Sequence, residues 1–485
     1  MKKYTAKQWI VIVISLLLCF GSAFISPLWG LSPAGFRVLC IFIGTVLFWL
    51  FVATDWTSLL VLMALMMVPE LGVKTIAATS FGNDTAVFLL ICFMLAACLT
   101  KTGLAKRISI WFITNKLGRK SPWWTIVMYF CAEFVMSLVL SNTTSFLIFL
   151  PIMVEILEGV GYRKEDKPQI GAAMILGSVL TGSLANSCTP ISHAISITGM
   201  SLYTTYTGES IDFLTFCAVL MPVAIVGMVI WLLFMKYIWK PDVSKFVDID
   251  YDAMKASCGQ ITKREKAAAI IYVLVLVFWI IPGIVRYVSP DLYKVFSLIN
   301  QNYPPLIAIF LMNLIWVDGA PILSFKESYG SANWNTYLFI ATVMCLGTCI
   351  SNASVGLNTW LAGVFTPIAE TLSPSVFIIV MCILGMILTN FISNGVGVSV
   401  IYAIAMPLTL TVYAGQIIPM NIAILVTAAV QYAWATPGST PNAVVASNSG
   451  WIEMGTMVKR GFFVLAFIGI AFLLIGIPLG NLLCH

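Results

Sequence analysis

The sequence has too few charged residues to cover a water-facing surface. Only 9% of its 485 residues are Asp, Glu, Lys or Arg, whereas a soluble domain usually contains about 25%. Hydrophobic residues make up 60% of the chain, and the mean hydropathy is +0.98. Apolar runs of about 20 residues recur along the sequence, which is the length that crosses a bilayer core. The composition therefore predicts an all-α, polytopic membrane protein.

Residues that carry hydrolytic or redox chemistry are also scarce. The chain has two His residues, one of them C-terminal, and it contains no HExxH motif. Its 12 Cys residues form no CxxC pair and lie mostly in apolar runs, so we interpret them as small hydrophobic side chains. These absences argue against an intramembrane enzyme and predict neither a metal centre nor a cofactor. The net charge of +6 is spread over loops, which indicates membrane topology and not nucleic-acid binding.

The apolar runs predict about eleven transmembrane helices and two re-entrant helical hairpins. The spans lie near 9–25, 36–54, 56–69, 85–102, 170–199, 213–239, 267–288, 304–323, 334–350, 421–447 and 460–482. The hairpins lie at 122–157 and 374–412, since each of these segments is too long for one span and breaks in its middle. The first run follows three Lys residues without a clear small-residue cleavage site, so we interpret it as a retained span.

The Lys and Arg residues predict the orientation. Cations are concentrated before the first span and in segments 101–120, 161–169 and 240–266, whereas 200–212, 351–375 and 412–420 contain none. Because basic loops face the cytoplasm, we expect the N-terminus inside, the C-terminus outside, and the protein in the plasma membrane. The linker 240–266, with six cations and five acids, is predicted to be a solvated cytoplasmic connection.

The two parts that this linker separates resemble each other. Residues 1–239 contain the first span and a first repeat, which has the hairpin 122–157 and a broken helix at 170–199. Residues 267–485 contain a second repeat, which has the hairpin 374–412 and a broken helix at 421–447. Ser137 matches Thr389 and Ser141-Asn142 matches Ser393-Asn394, each 252 residues later; Thr189-Pro190 matches Thr440-Pro441, 251 residues later. An odd number of spans separates equivalent elements, so the repeats are predicted to be inverted.

Inverted repeats with interrupted helices are typical of secondary carriers with a binding site near the midplane. Ser and Asn are strong helix N-caps, so a helix can begin at each hairpin break, at Ser141-Asn142-Thr143 and Ser393-Asn394-Gly395. The exposed N–H groups and the positive dipole end would then bind an anion without a buried Arg. The breaks at Ser187–Pro190 and Ser439–Asn442 can face the same ligand. Such breaks around a closed site favour alternating access over a continuous channel.

Two ionisable residues within the apolar runs allow two interpretations each. His193 is either a neutral, hydrogen-bonded side chain or a positive charge that offsets an anionic substrate. Glu133 either has a functional role or pairs with a neighbouring polar group.

These motifs resemble those of the divalent anion/sodium symporter family, the carriers of succinate, citrate, 2-oxoglutarate and sulfate. The resemblance covers essentially the whole chain, including the basic interfacial helix near 104–118. It implies a homodimer in the lipid bilayer, with a fixed scaffold and a transport domain that moves as an elevator. The substrate-binding residues that we predict are Ser141, Asn142, Thr143, Thr189, Pro190, His193, Ser393, Asn394, Gly395, Ser439, Thr440 and Pro441. If transport is coupled to sodium, the resemblance implies a cation at Ser137, Ser141, Asn142, Thr389 and Asn394.

Three departures from the family pattern argue against sodium coupling. The second tip ends in Gly395 where the family has Thr, Cys188 replaces a Gly, and His193 stands where Asn is common. We therefore predict exchange of small dicarboxylates of the succinate, malate, fumarate and 2-oxoglutarate class. The alternative is a sodium-coupled symporter of dicarboxylates or of another divalent anion, such as citrate or sulfate.

Overall fold

The computed structural model describes residues 4–289, 302–437 and 439–484, which are mostly helical. The helices of the first half are α1 (Ala6–Leu16), α2 (Pro33–Phe51), α3 (Trp56–Met66), α4 (Val73–Thr79), α5 (Asp84–Lys101), α6 (Leu104–Thr114), α7 (Pro122–Ser137), α8 (Asn142–Gly159), α9 (Gln169–Ser187), α10 (Ala194–Thr207) and α11 (Phe213–Leu233). The linker contributes α12 (Tyr251–Ala256). The second half contains α13 (Lys263–Val288), α14 (Tyr303–Leu314), α15 (Phe325–Gly330), α16 (Trp334–Ser351), α17 (Leu357–Ala369), α18 (Pro374–Thr389), α19 (Asn394–Thr411), α20 (Pro419–Ala429), α21 (Pro441–Asn448) and α22 (Met454–Leu483).

Short segments of other structure accompany these helices. Turns of π- or 3₁₀-helix lie at Leu17–Gly21, Ser22–Phe24, Gly118–Lys120, Lys164–Asp166, Phe234–Trp239 and Ser244–Asp248. In the described part of the chain the β-structure is one antiparallel pair, β1 (Trp316–Val317) and β2 (Ala320–Pro321).

The chain is a multi-pass membrane protein. Eight of the described helices are long and apolar enough to cross a membrane, or up to ten spans if each of two bent helix pairs counts as one. The predicted number of eleven stays a prediction. The expected span at 304–323 is wrong beyond Leu314, where α14 ends. Asp318-Gly319, both with positive φ, instead form the two-residue turn between β1 and β2, because Asp-Gly favours such a hairpin.

The two predicted hairpins begin in the same way. Ser121 and Ser373 each cap a helix that has Pro at its first position, which is a strong local signal for a helix start. Each arm ends after 16 residues, and a second helix begins at Asn142 or Asn394 after a short turn.

Each half places one buried helix behind its hairpin. Every residue of α9 from Ile170 to Ser187 is buried, and α9 packs against the arms α7 and α8 and against α11. In the second half α20 packs in the same way against the arms α18 and α19 and against α22. The halves are joined by contacts of α11 with α22 and of α10 with α20. The hairpins and broken helices therefore form the centre of the molecule, whereas only Ile12 and Ser15 of α1 are buried.

The predicted cytoplasmic segments contact one another. Arg119 forms an ion pair of 2.6 Å with Asp252 of the linker, and this hydrogen bond holds the pKa of Asp252 below its usual range. Arg107 reaches Glu265 at 2.9 Å, and Tyr162 donates to the carbonyl of Asp242. The linker thus folds against segments 101–120 and 161–169, where the sequence suggested only a solvated connection.

Candidate functional site

The first hairpin tip is held by an N-cap and by one amide side chain. Ser141 accepts a hydrogen bond from the backbone N–H of Thr144 at 3.3 Å, so α8 starts as its sequence predicts. Asn142 is buried; its Nδ2 donates to Ser183 Oγ at 3.3 Å, and its Oδ1 accepts from Asn442 Nδ2 at 2.6 Å. A Cβ on Gly182 would lie 2.3 Å from Asn142 Oδ1, so only glycine there lets Asn142 approach α9.

The second tip has the same cap but different neighbours. Ser393 accepts from the backbone N–H of Val396 at 3.4 Å. Asn394 Oδ1 lies 2.8 Å from the hydroxyl of Thr389, which is also 2.5 Å from the carbonyl of Val430. Thr389 therefore ties the tip to the end of α20.

The breaks in α9–α10 and α20–α21 bind the hairpins through threonine hydroxyls. Thr189 donates to the carbonyl of Leu138 at 3.3 Å, and Thr436 donates to the carbonyl of Asn390. Leu138 and Asn390 are equivalent positions, 252 residues apart. By these contacts the counterpart of Thr189-Pro190 is Thr436-Pro437, and not Thr440-Pro441 as the dipeptide spacing suggested. The spacing of 252 residues does not extend to the second break because α20 has 11 residues, whereas α9 has 19.

His193 and Thr440 are the N-caps that follow the two breaks. The backbone N–H of Ile195 donates to His193 Nδ1 at 3.3 Å, and that of Ala443 donates to Thr440 Oγ1 at 3.2 Å. A ring nitrogen that accepts a hydrogen bond carries no proton, so this contact favours the neutral ring with its proton on Nε2. The contact thus supports the interpretation of His193 as a neutral, hydrogen-bonded side chain and gives the ring a capping role.

A cavity of about 600 Å³ lies between these elements. The predicted residues that line it are Ser141, Asn142, Thr143, His193, Ser393, Asn394, Gly395, Ser439, Thr440 and Pro441. Thr189 and Pro190 do not line it, since Thr189 is used in the contact with Leu138. Four helices of the hairpins and broken helices begin at this cavity, namely α8, α10, α19 and α21, and α16 also begins there. No lining residue is Lys, Arg, Asp or Glu within the described ranges.

Several lining residues were not predicted. They include Thr54, Thr144, Ser192, Asn333, Thr336 and Phe339. Asn333 caps α16 through Thr336 N at 3.1 Å, a local pattern that could have been recognised. Phe339 is one aromatic residue in an apolar helix and offered no signal of this kind.

Two of the five candidate cation positions lie behind the tips. Ser137 and Thr389 are fully buried and do not line the cavity. Asn186 Nδ2 donates to the carbonyls of Ser137 and Gly182, at 3.1 and 2.8 Å.

The second half holds a matching amide. Asn390 Nδ2 donates to the carbonyls of Tyr432 and Met386, at 2.8 and 2.7 Å. In each half an amide thus bridges two carbonyl groups, one from the hairpin and one from the buried helix or its break. Carbonyl oxygens are the ligands that a hard cation needs, and here hydrogen-bond donors engage them.

Hairpins and broken helices around one cavity, in a multi-pass helical protein, define a membrane transporter. Residues 38–395 match the CitMHS citrate transporter family, and the chain belongs to this family. The chain is 24% identical over 481 residues to the sodium-dependent dicarboxylate transporter SdcS of Staphylococcus saprophyticus, covering 96% of this chain and 89% of that protein. It is also 24% identical over 386 residues to the putative malate transporter YflS of Bacillus subtilis, covering 74% of each chain. These matches confirm the resemblance to the divalent anion/sodium symporter family and the prediction of a transporter in place of an enzyme.

Solved structures support the fold. The YdaH transporter of Alcanivorax borkumensis superimposes with a TM-score of 0.58 at 11% identity, covering 98% of both chains. MtrF of Neisseria gonorrhoeae gives a TM-score of 0.53 at 14% identity, covering 99% of this chain and 95% of that one.

Proposed function

We propose that the protein is a secondary active transporter that exchanges small dicarboxylates across the plasma membrane. The observation that carries this proposal is the set of four helix N-termini, capped by Ser141, His193, Ser393 and Thr440, at one uncharged cavity. Each N-terminus is equivalent to roughly half a positive charge, so four amount to about +2 elementary charges. The last turns of α9 and α20, which carry the opposite dipole ends, do not line the cavity. The N-terminus of α16 and the last turn of α5 both line it, and their opposite dipole ends offset each other. The two negative charges of a dianion are thus balanced by the helix N-termini of the protein.

This balance supports exchange. With a dianion bound, the moving site is close to neutral. Without the dianion, the site keeps the uncompensated positive dipole ends, and moving it through a medium of low dielectric constant is costly. Reorientation then requires bound anion. Asn186 supports the same conclusion, because its amide engages the carbonyl of Ser137, one of the candidate cation positions.

The cavity has the dimensions of a small-molecule site, which range from about 300 to 1,000 Å³. Its rim includes Thr54, Thr100, Ser331 and Asn333, which lie at or next to the predicted cytoplasmic ends of spans. In the predicted orientation this conformation is open to the cytoplasm. Alternating access proceeds by movement of the hairpins and broken helices as one transport domain against the remaining helices, in a homodimer with two inverted repeats.

Relatives support the substrate class. The names of SdcS and YflS specify dicarboxylate and malate, and the family is described by citrate. The name of SdcS also favours the second candidate, a sodium-coupled symporter of dicarboxylates or another divalent anion.

Binding of a dicarboxylate without sodium tests the proposal. Succinate should raise the melting temperature of the purified protein in choline buffer, because a ligand that binds only the folded state stabilises it. Propionate, which lacks the second carboxylate, is the matched control and should have little effect. Stabilisation only when sodium is added would support the symporter, and no stabilisation under either condition would contradict the substrate class.

A further inference from the structure

The two tips offer a ligand different chemistry. Thr143 is half-buried at the cavity, and its counterpart 252 residues later is Gly395, which has no side chain. A Cβ on Gly395 would lie 2.1 Å from Cε1 and 2.3 Å from Cζ of Phe339, closer than real Cβ contacts come. The Phe339 ring therefore occupies the space that a threonine side chain would need.

Packing against Trp49 fixes the position of the Phe339 ring. Phe339 makes an edge contact with Trp49, with ring centroids 4.6 Å apart and planes at 61°. Trp49 is itself held by a hydrogen bond from Nε1 to Ser58 Oγ at 3.2 Å. Both aromatic side chains are buried, so Phe339 cannot easily turn away from Gly395.

The cavity is consequently more polar at the first tip than at the second. The first tip presents the hydroxyls of Ser141, Thr143 and Thr144 beside its backbone N–H groups. The second tip presents Ser393 and backbone N–H groups next to the ring of Phe339. A ligand hydroxyl at the second tip would lose its bonds to water and gain no partner from the ring, which disfavours binding.

We propose that Phe339, seated on Gly395, is a specificity-determining residue that accepts a hydroxyl at one end of a four-carbon dicarboxylate but not at both. This inference rests on the proposed dicarboxylate function. Succinate has no hydroxyl, and malate binds with its single hydroxyl at the first tip. Tartrate has a hydroxyl next to each carboxylate, so in either orientation it places one hydroxyl against Phe339.

Competition for succinate uptake into proteoliposomes tests this proposal. We expect malate to compete within about threefold of succinate, and tartrate to be weaker by about 10- to 100-fold, the range in which apolar sites reject an added hydroxyl. Equal competition by malate and tartrate in the unaltered protein would overturn the inference and leave the proposed function intact. No succinate uptake at all would overturn the proposed function instead.

Two variants assign the discrimination to the ring. The double variant Phe339→Ala with Gly395→Thr removes the ring and supplies a hydroxyl, so the ratio between malate and tartrate should fall at least fivefold. Phe339→Leu keeps an apolar wall and should retain most of the ratio. An unchanged ratio in a folded double variant would contradict the role of Phe339. If the double variant does not fold, Phe339→Ser replaces it, with the same expectation for the ratio.

Discussion

Asn442 donates a hydrogen bond of 2.6 Å to Asn142, which lies 300 residues earlier in the chain. This contact joins the first hairpin tip to the start of α21, and both residues line the cavity. The two halves therefore meet through side-chain amides at the place where a substrate would bind. A substitution in the second broken helix can thus alter the first hairpin tip directly.

Asn442→Ala should weaken substrate binding without loss of the fold. It leaves Asn142 Oδ1 buried without this partner, and a buried polar group that loses its partner costs about 1–3 kcal/mol. We expect an affinity for succinate that is lower by about 5- to 100-fold, at about 1.4 kcal/mol per factor of ten, measured by titration calorimetry. Ser447→Ala is the control, since Ser447 is only half-buried on the same helix and does not line the cavity. Equal affinities in both variants would contradict the coupling between the halves.

Asn142→Ala and Asn394→Ala should both abolish most uptake, but they should differ in stability. A hydrogen bond to a charged group is worth about 1.5–3 kcal/mol, so either loss should reduce uptake by about ten- to a hundredfold. Asn142 makes side-chain hydrogen bonds to Ser183 and Asn442, whereas Asn394 accepts from Thr389. Asn142→Ala should thus lower the melting temperature more than Asn394→Ala. Unreduced uptake in either variant removes that residue from the site.

Asn186→Asp combined with Asn390→Asp should make transport depend on sodium. The new carboxylates would stand at the carbonyl pairs that the amides now bridge, and a buried charge requires a compensating partner. We expect succinate counterflow to fall in choline and to recover in sodium. Asn352→Asp is the control, because Asn352 lies outside the cavity and its Oδ1 caps a turn that Asp also stabilises. If the double variant transports succinate equally well in choline and in sodium, these two amides do not take the place of a coupling cation.

Ser354→Cys and Lys255→Cys, each on a background without the twelve native Cys residues, should label from opposite sides. Both positions are exposed, the first in the cation-free segment 351–375 and the second in the linker 240–266. An impermeant thiol reagent added outside intact cells should modify only the cysteine at 354. The reverse pattern would overturn the orientation inferred from the basic loops.

The features that could be predicted from the sequence are those that depend on neighbouring residues or on composition. Ser141 and Ser393 cap helices because Ser before a helix start is a strong signal wherever it occurs. The class of protein followed from composition, and the family match confirms it.

Contacts between distant residues could not be predicted in this way. Nothing near Phe339 in the sequence indicates that its ring fills the space above Gly395. Likewise Thr436 and Thr440 both precede Pro, and only the contact with Asn390 shows which of them corresponds to Thr189. For His193 the sequence left two interpretations open, and the contact between Ile195 N and Nδ1, which depends on the backbone around the break, favours the neutral ring.

Counterflow in sodium-free proteoliposomes tests the central claim most directly. Vesicles loaded with unlabelled succinate and diluted into labelled succinate in choline buffer should take up label rapidly. Empty vesicles should take up almost none, because a site with four uncompensated helix N-termini does not reorient without its anion. Strict dependence of this uptake on sodium, or equal uptake by loaded and empty vesicles, would contradict the account.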